Sequence, residues 1–397
     1  MLTLDKIYHA SFVLKEAIRT TDIIPAPNLK PGCEIYLKTE NLQVTGSFKV
    51  RGAYYKISQL TAEEKSRGVI ACSAGNHAQG VALAATKNGI KSLICLPDGA
   101  PISKVEATKR YGAEVCLVPG VYDDAYNKAL ELKDTCGYTF IHPFNDPDVI
   151  AGQGTIGLEI LNQLENVDAI VVPIGGGGLI AGIAYAVKHL KPAVKVYGVQ
   201  AAGAPSMFES VKSGKLHALA SVSTIADGIA VKQPGDLTYE LCKQYVDDIV
   251  TVSDDEISSA ILALIEQQKM IAEGAGAVAV AAAMFGKIPT EGKKVCCVVS
   301  GGNIDVTILS RVIKRGLLMS GRNYAMTIEL PDKPGQLSHV AQIVSSLGAN
   351  VIAVHHERAS EGSDVTGCFL RIEIETRNFD HIQQIRNQLV AEGFKLI

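Results

Sequence analysis

The sequence shows no excess of either charge, no long apolar run and no paired-cysteine spacing, and each absence removes a class of function. Its 38 Lys and Arg face 41 Asp and Glu, a formal net charge of -3 over 397 residues. No global positive field exists to draw phosphate backbones or anionic membranes, so neither a nucleic-acid nor a membrane partner is expected. The longest weakly polar stretch, residues 274–286, falls short of the ~17 to 25 residues a bilayer span requires. The first ten residues mix apolar with charged positions and lack the continuous apolar core of a secretory signal, which predicts a cytoplasmic chain. Nine cysteines form an odd set without CxxC spacing. They read as buried small hydrophobes in a reducing compartment.

What is present is a chain able to bury its own surface, with 47% apolar residues, 20% charged residues and 37 Gly. At about 150 residues per domain the length suggests two or three folded units. Short β-branched runs at residues 34–38, 69–72, 92–96, 114–118, 169–173, 196–199, 249–252 and 294–300 read as strands. They alternate with helical periodicity at residues 76–88, 103–111, 149–164, 179–189 and 255–268, which predicts an α/β body with parallel sheets wound on both faces. A small polar link, Met319-Ser320-Gly321-Arg322-Asn323, precedes a change of texture. After it the order is strand 325–330, helix 335–347, strands 350–358 and 367–375, helix 379–392 and a strand stub at 394–397. That βαββαβ order predicts a separate ferredoxin-like unit.

Four clusters sit where strands end and helices begin, the place where open α/β sheets collect ligands. Gly175-Gly176-Gly177-Gly178 follows strand 169–173 and opens a helix at Leu179, so backbone N–H groups and the positive helix end converge on one point. Phosphate suits that cradle. Residues 176–181 also satisfy G-x-G-x-x-A, but a ribose-binding dinucleotide site would place an acid at the end of the next strand, where Gln200 stands. The stretch Thr45-Gly46-Ser47-Phe48-Lys49 carries a lysine between an aromatic and a β-branched residue. An amine in apolar surroundings loses its charge more readily and can serve as nucleophile and base near neutral pH. Ser73-Ala74-Gly75-Asn76-His77 and Ser300-Gly301-Gly302-Asn303 complete the set. His77 reads as a satisfied structural side chain.

Together with Ala151-Gly152-Gln153-Gly154-Thr155, Ala226-Asp227-Gly228 and Glu273-Gly274-Ala275-Gly276-Ala277, these clusters resemble the pyridoxal-phosphate enzymes of the tryptophan-synthase β-like fold, and within them the threonine ammonia-lyases (threonine dehydratases). The resemblance implies a two-lobed catalytic domain over residues 1–320, with a small lobe of about residues 51–150 inserted in the large one. Residues 322–397 resemble an ACT regulatory domain, as in the medium form of that enzyme. Carried over by position, Lys49 would be the catalytic lysine that forms the imine with pyridoxal 5'-phosphate. Gly175, Gly176, Gly177, Gly178 and Leu179 would hold the phosphate, Phe48 would pack beside the ring, Asn76 would bond the 3-oxygen and Ser300 the pyridine nitrogen. Ser73, Ala74, Gly75, Asn76 and Phe144 would face the substrate. A hydroxyl at Ser300 does not force the ring nitrogen to be protonated, which favours elimination over transamination.

The implied reaction is the conversion of L-threonine to 2-oxobutanoate and ammonia by loss of water, with L-serine as a second substrate, since one methyl discriminates by only ~1 to 3 kcal/mol. It would open isoleucine biosynthesis or threonine catabolism. Competing readings are a serine or threonine racemase, a serine-specific dehydratase, a β-replacement synthase and an inert amino-acid sensor. Position 74 argues against the racemase, because similar racemases use a serine hydroxyl where this chain has Ala74. In the tail, Asp332, Lys333, Pro334, Gly335, Gln336 and Leu337 would form the effector loop, and ACT pairing implies a homodimer or homotetramer. Residues 200–204, where some related enzymes place cation ligands, carry no acid, so no metal is assigned.

Overall fold

The run Ala169–Pro173 is buried at every position, as a strand covered on both faces must be. It lies inside a six-stranded sheet ordered Ile23–Pro25, Glu34–Lys38, Lys294–Val298, Ala169–Pro173, Lys195–Ala201 and Asp248–Val252. All neighbours pair parallel except the first edge strand. A second, wholly parallel sheet runs Glu114–Val118, Ser92–Pro97, Val69–Cys72 and Thr139–Phe140. Its strands fall in sequence between Glu34–Lys38 and Ala169–Pro173, so the smaller sheet is an insertion in the larger. The helix Lys49–Ser58 packs on both Asn76–Lys87 and Pro147–Gln163. Each sheet has its own apolar cluster, one centred on Ile170, Ile183 and Val298 and the other on Val69, Val81 and Ile94.

The computed structural model describes residues 1–358 and 367–397, which divide into two compact units, Met1–Val306 and Thr307–Ile397. The division falls ahead of the link expected at 319–323, so nearly all of the helix Val306–Met319 groups with the second unit. The link itself is tied into that unit: Gly321 is buried and its carbonyl accepts the Thr376 hydroxyl at 2.6 Å. There the strands Asn350–Glu357, Gly367–Glu375, Asn323–Pro331 and Lys395–Leu396 form an antiparallel sheet, with the helices Gln336–Ser346 and Phe379–Ala391 completing the βαββαβ order. Leu330, Leu370, Ile372 and Ile385 belong to its core.

No helix among the described residues is long and apolar enough to cross a membrane. The weakly polar stretch at 274–286 folds instead as the helix Gly274–Met284, buried from Gly274 to Ala283. All nine cysteines are free, but Cys136 is exposed and Cys33 and Cys116 are half-buried, so the expectation that all are interior holds for six.

Candidate active site

Three strand-to-helix junctions and one loop meet around a cavity of about 1080 Å³. Lys49 enters it from the first position of the helix Lys49–Ser58. The preceding loop is pinned by a bridge between Ser47 and Gly301 and by the Phe48 amide donating to the Ser300 carbonyl at 3.1 Å. Below the lysine, Arg51 is fully buried and binds Glu40 through Nε at 2.8 Å and Glu159 through Nη1 at 2.6 Å. Lys38 joins Glu159 at 2.6 Å. This network fixes the first turn of the helix, and with it the direction of Lys49.

The Lys49 amine donates to the Pro143 carbonyl at 2.9 Å and lies 5.3 Å from the centre of the Phe48 ring. Desolvation lowers its pKa to about 8, partly opposed by the nearby Glu273 carboxylate. The helix start presses in the same direction, because its positive end disfavours an ammonium. Glu273 is itself buried and is pushed up to about 7, by desolvation and by Asp227, against the Asn76 bond, Lys104 and Lys49.

The glycine run forms a cradle that side chains would fill. A Cβ on Gly176 would stand 2.4 Å from the Phe144 ring, on Gly177 2.6 Å from Met207, and on Gly178 2.9 Å from the Phe144 carbonyl. Gly177 has φ +97°, and the helix Gly178–Leu190 begins immediately after it. First-turn N–H groups have no carbonyl within their helix to bond, so they face the cavity as anion donors. At the junction with the helix Asn76–Lys87 the Ser73 N–H bonds the Cys95 carbonyl at 3.3 Å and the Gly75 N–H bonds the Ser73 hydroxyl at 3.2 Å, and the first-turn N–H groups from Asn76 onward present a second such set. An amine with a lowered pKa between two anion cradles fits a phosphate-bearing aldehyde cofactor and a carboxylate substrate.

The sequence-chosen residues reach this cavity: Phe48, Lys49, Asn76, Ser300 and the residues at 73–75 and 175–179 all line it. Ser300 is buried and its hydroxyl donates to the Ala275 carbonyl at 3.3 Å. Phe144 stands on the glycine side, its ring against Gly176 and edge-on to His142 at 4.7 Å. His77 is buried and bonds the Ile141 carbonyl through Nε2 at 2.8 Å; desolvation lowers its pKa to about 3, so the ring is neutral there. The effector loop lies in the other unit, where Gly335 with φ +91° precedes the helix Gln336–Ser346 and residues 331–335 are exposed.

Sequence reasoning gave no role to Glu273 or Asn303, yet both hold Asn76. The Asn76 amide donates to Glu273 Oε1 at 2.6 Å, and Asn303 donates to Asn76 Oδ1 at 2.8 Å and to the Thr45 carbonyl at 2.7 Å. His142 was also missed. Its Nδ1 accepts the backbone N–H of Asn145 at 2.8 Å and of Phe144 at 3.2 Å, shaping the turn opposite the glycine run. Only the presence of Glu273 and Asn303 inside the family-like motifs could have drawn attention to them.

Residues 14–301 match the family described as pyridoxal-phosphate dependent enzyme, and residues 324–391 match the ACT domain. The L-threonine ammonia-lyase of Thermotoga maritima is 49% identical over 100% of this chain and 99% of its own length. The processed form of threonine deaminase isoform 2 from Solanum lycopersicum superposes with a TM-score of 0.75 at 39% identity, covering 79% of this chain and 93% of that one. Maize serine racemase superposes with a TM-score of 0.75 at 35% identity, over 80% and 98%. The first match spans the cavity residues from Phe48 to Ser300, and on that ground the chain belongs to the pyridoxal-phosphate-dependent enzymes, with an ACT domain following.

Proposed function

We propose that the chain deaminates L-threonine to 2-oxobutanoate and ammonia, accepts L-serine as a second substrate, and is regulated by an amino acid at the ACT domain. The observation that carries this reading is the Lys49 amine, lowered to about 8, held in one cavity with two sets of free helix-start N–H groups. The whole-length likeness to an L-threonine ammonia-lyase supports the substrate.

The residues divide the work by position. Gly175 to Gly178 and Leu179 would hold the cofactor phosphate through backbone N–H groups, with Phe48 beside the ring and Asn76 and Ser300 toward its polar atoms. Pyridoxal phosphate, when bound, supplies the electron sink for negative charge at the substrate Cα. Within Ser73 to Asn76, the backbone N–H groups of Ala74 and Asn76 orient the substrate carboxylate, since those of Ser73 and Gly75 are bonded to the Cys95 carbonyl and the Ser73 hydroxyl, and Phe144 closes the glycine side. Lys49 would hold the cofactor's aldehyde carbon, and its amine is placed to take the proton from the substrate Cα. The β-hydroxyl leaves as water, and one water returns in the hydrolysis that releases ammonia, so threonine equals product plus ammonia in atoms. Ala74 offers no hydroxyl on the opposite face of Cα, which disfavours racemisation.

Residues 1–320 act as the catalytic domain and 322–397 as the regulatory one, with Asp332 to Leu337 contacting the effector in a homodimer or homotetramer. The reaction opens isoleucine biosynthesis or threonine catabolism. The purified protein, supplied with cofactor, shows a visible band that borohydride fixes and releases ammonia from threonine; Lys49→Ala loses both. A wild type that stays colourless, or a Lys49→Ala variant that keeps its ammonia release, refutes the reading.

A further inference from the structure

We propose that Asp332, His356 and Cys368, in the second unit and not among the residues lining the cavity above, bind a thiophilic divalent cation of the zinc class. Their ligand atoms lie within 4.8 Å of one another, and His356 Nε2 stands 3.0 Å from Cys368 Sγ.

The antiparallel register brings the three together. Leu330 pairs with Cys368 and His356 with Leu370, so paired side chains on neighbouring strands share a face. Side chains alternate along a strand, which puts Cys368 on the face of Leu370, and Asp332, in the bend that follows Pro331, brings its carboxylate to the same end. That face is the apolar one, with Leu330 and Leu370 buried in the core. At its end the apolar pattern gives way to a carboxylate, an imidazole and a thiol. Cys368 is buried and anchors the group, while Asp332 and His356 are exposed and able to adjust.

The donor set selects the metal. Calcium and magnesium take oxygen ligands, whereas zinc accepts thiolate, imidazole and carboxylate together. Zinc bonds of about 2.0 to 2.3 Å put neighbouring ligand atoms of a tetrahedron roughly 3.3 to 3.6 Å apart. The observed spacings reach that range by small movements of Asp332 and His356. Three protein ligands leave the fourth position to water. Arg358, 70% exposed along its side chain, pairs with Asp332 at 3.3 Å and is the cation the metal would displace. Binding also releases the thiol proton to solvent.

The test uses the full-length protein with its cofactor, equilibrated with Zn2+ and passed through a desalting column, with zinc per chain read by elemental analysis. Wild type retains one more zinc per chain than His356→Gln, an exposed position whose change leaves the core intact. Cys136→Ser, which removes an exposed thiol elsewhere, retains the wild-type amount. Removing a direct ligand weakens binding at least as much as the roughly 10 to 100-fold that outer partners cost. With Co2+ in place of zinc, the difference spectrum shows a thiolate charge-transfer band that Cys368→Ser removes. Wild type eluting without zinc, or His356→Gln holding the same zinc as wild type, overturns the site and leaves His356 and Cys368 as a hydrogen-bonded pair.

Discussion

Lys49 and Glu273 form a pair of opposite tendencies: burial drives the amine toward its neutral form and the carboxyl toward its protonated form. Only the neutral amine attacks an aldehyde, so cofactor uptake by cofactor-free protein rises with pH and levels above about 8. Glu273, ionised above about 7, raises the Lys49 value. Glu273→Gln removes that support and keeps the acceptor for Asn76, so the uptake midpoint moves down. The growth rate of the visible band across a pH series measures it, and a midpoint that stays put or rises counts against the pairing. The lysine and the glycine run were legible in the sequence because each announces itself within a few neighbours. The hold on Asn76 was not, since its partners lie 197 and 227 positions away in the chain.

Among the elements, the helix Lys49–Ser58 depends on charges that the sequence does not mark as special. Arg51 satisfies a fully buried Glu40 and a partly exposed Glu159, and the Glu40 carboxyl is held below its ordinary value despite burial, chiefly by Arg51. Arg51→Leu leaves Glu40 buried without its main counter-charge, with only Lys38 and the Thr21 hydroxyl in support, which costs about 3 to 5 kcal/mol. Denaturant unfolding reads this loss, and a change under about 1 kcal/mol would show the network to be slack. Because the folded Glu40 value is depressed, its stabilisation is present above the ordinary carboxylate range and fades as pH falls toward the folded value. Strands Glu34–Lys38, Val69–Cys72, Glu114–Val118 and Ala169–Pro173 stand where their β-branched runs put them. The helix Gly274–Met284 escaped notice because Ala, Val and Gly buried on every side leave no polar face to set a period. Gly152, in one of the stretches that carry the family resemblance, serves close packing, since a Cβ there would lie 2.6 Å from the Arg51 carbonyl.

For the whole molecule, every residue lining the cavity lies within Met1–Val306, while the effector loop belongs to Thr307–Ile397. A chain ending at Gly321 therefore keeps threonine deamination and loses any response to isoleucine or valine. Full-length protein responds with a shift in half-saturation of about 5 to 150-fold, the usual span of site coupling. Initial rates in an effector series distinguish the two chains, and equal responses would place the effector elsewhere. The βαββαβ tail was legible from element order alone, but the division at Val306 was not, because the helix Val306–Met319 follows the loop after the last parallel strand just as the other helices of the body follow theirs. The inserted sheet carries one more consequence. The helix that leads toward it starts at Lys49 and the chain passes Pro143 on leaving it, and the amine of the first touches the carbonyl of the second at 2.9 Å. Bonds from Asn76 to Glu273 at 2.6 Å and from Lys104 to Asp227 at 2.7 Å tie the inserted part to the larger one on either side of that contact. The reactive nitrogen thus rests on the seam where the inserted part meets the main sheet, with the walls bearing Ser73 and Gly176 on either side of it.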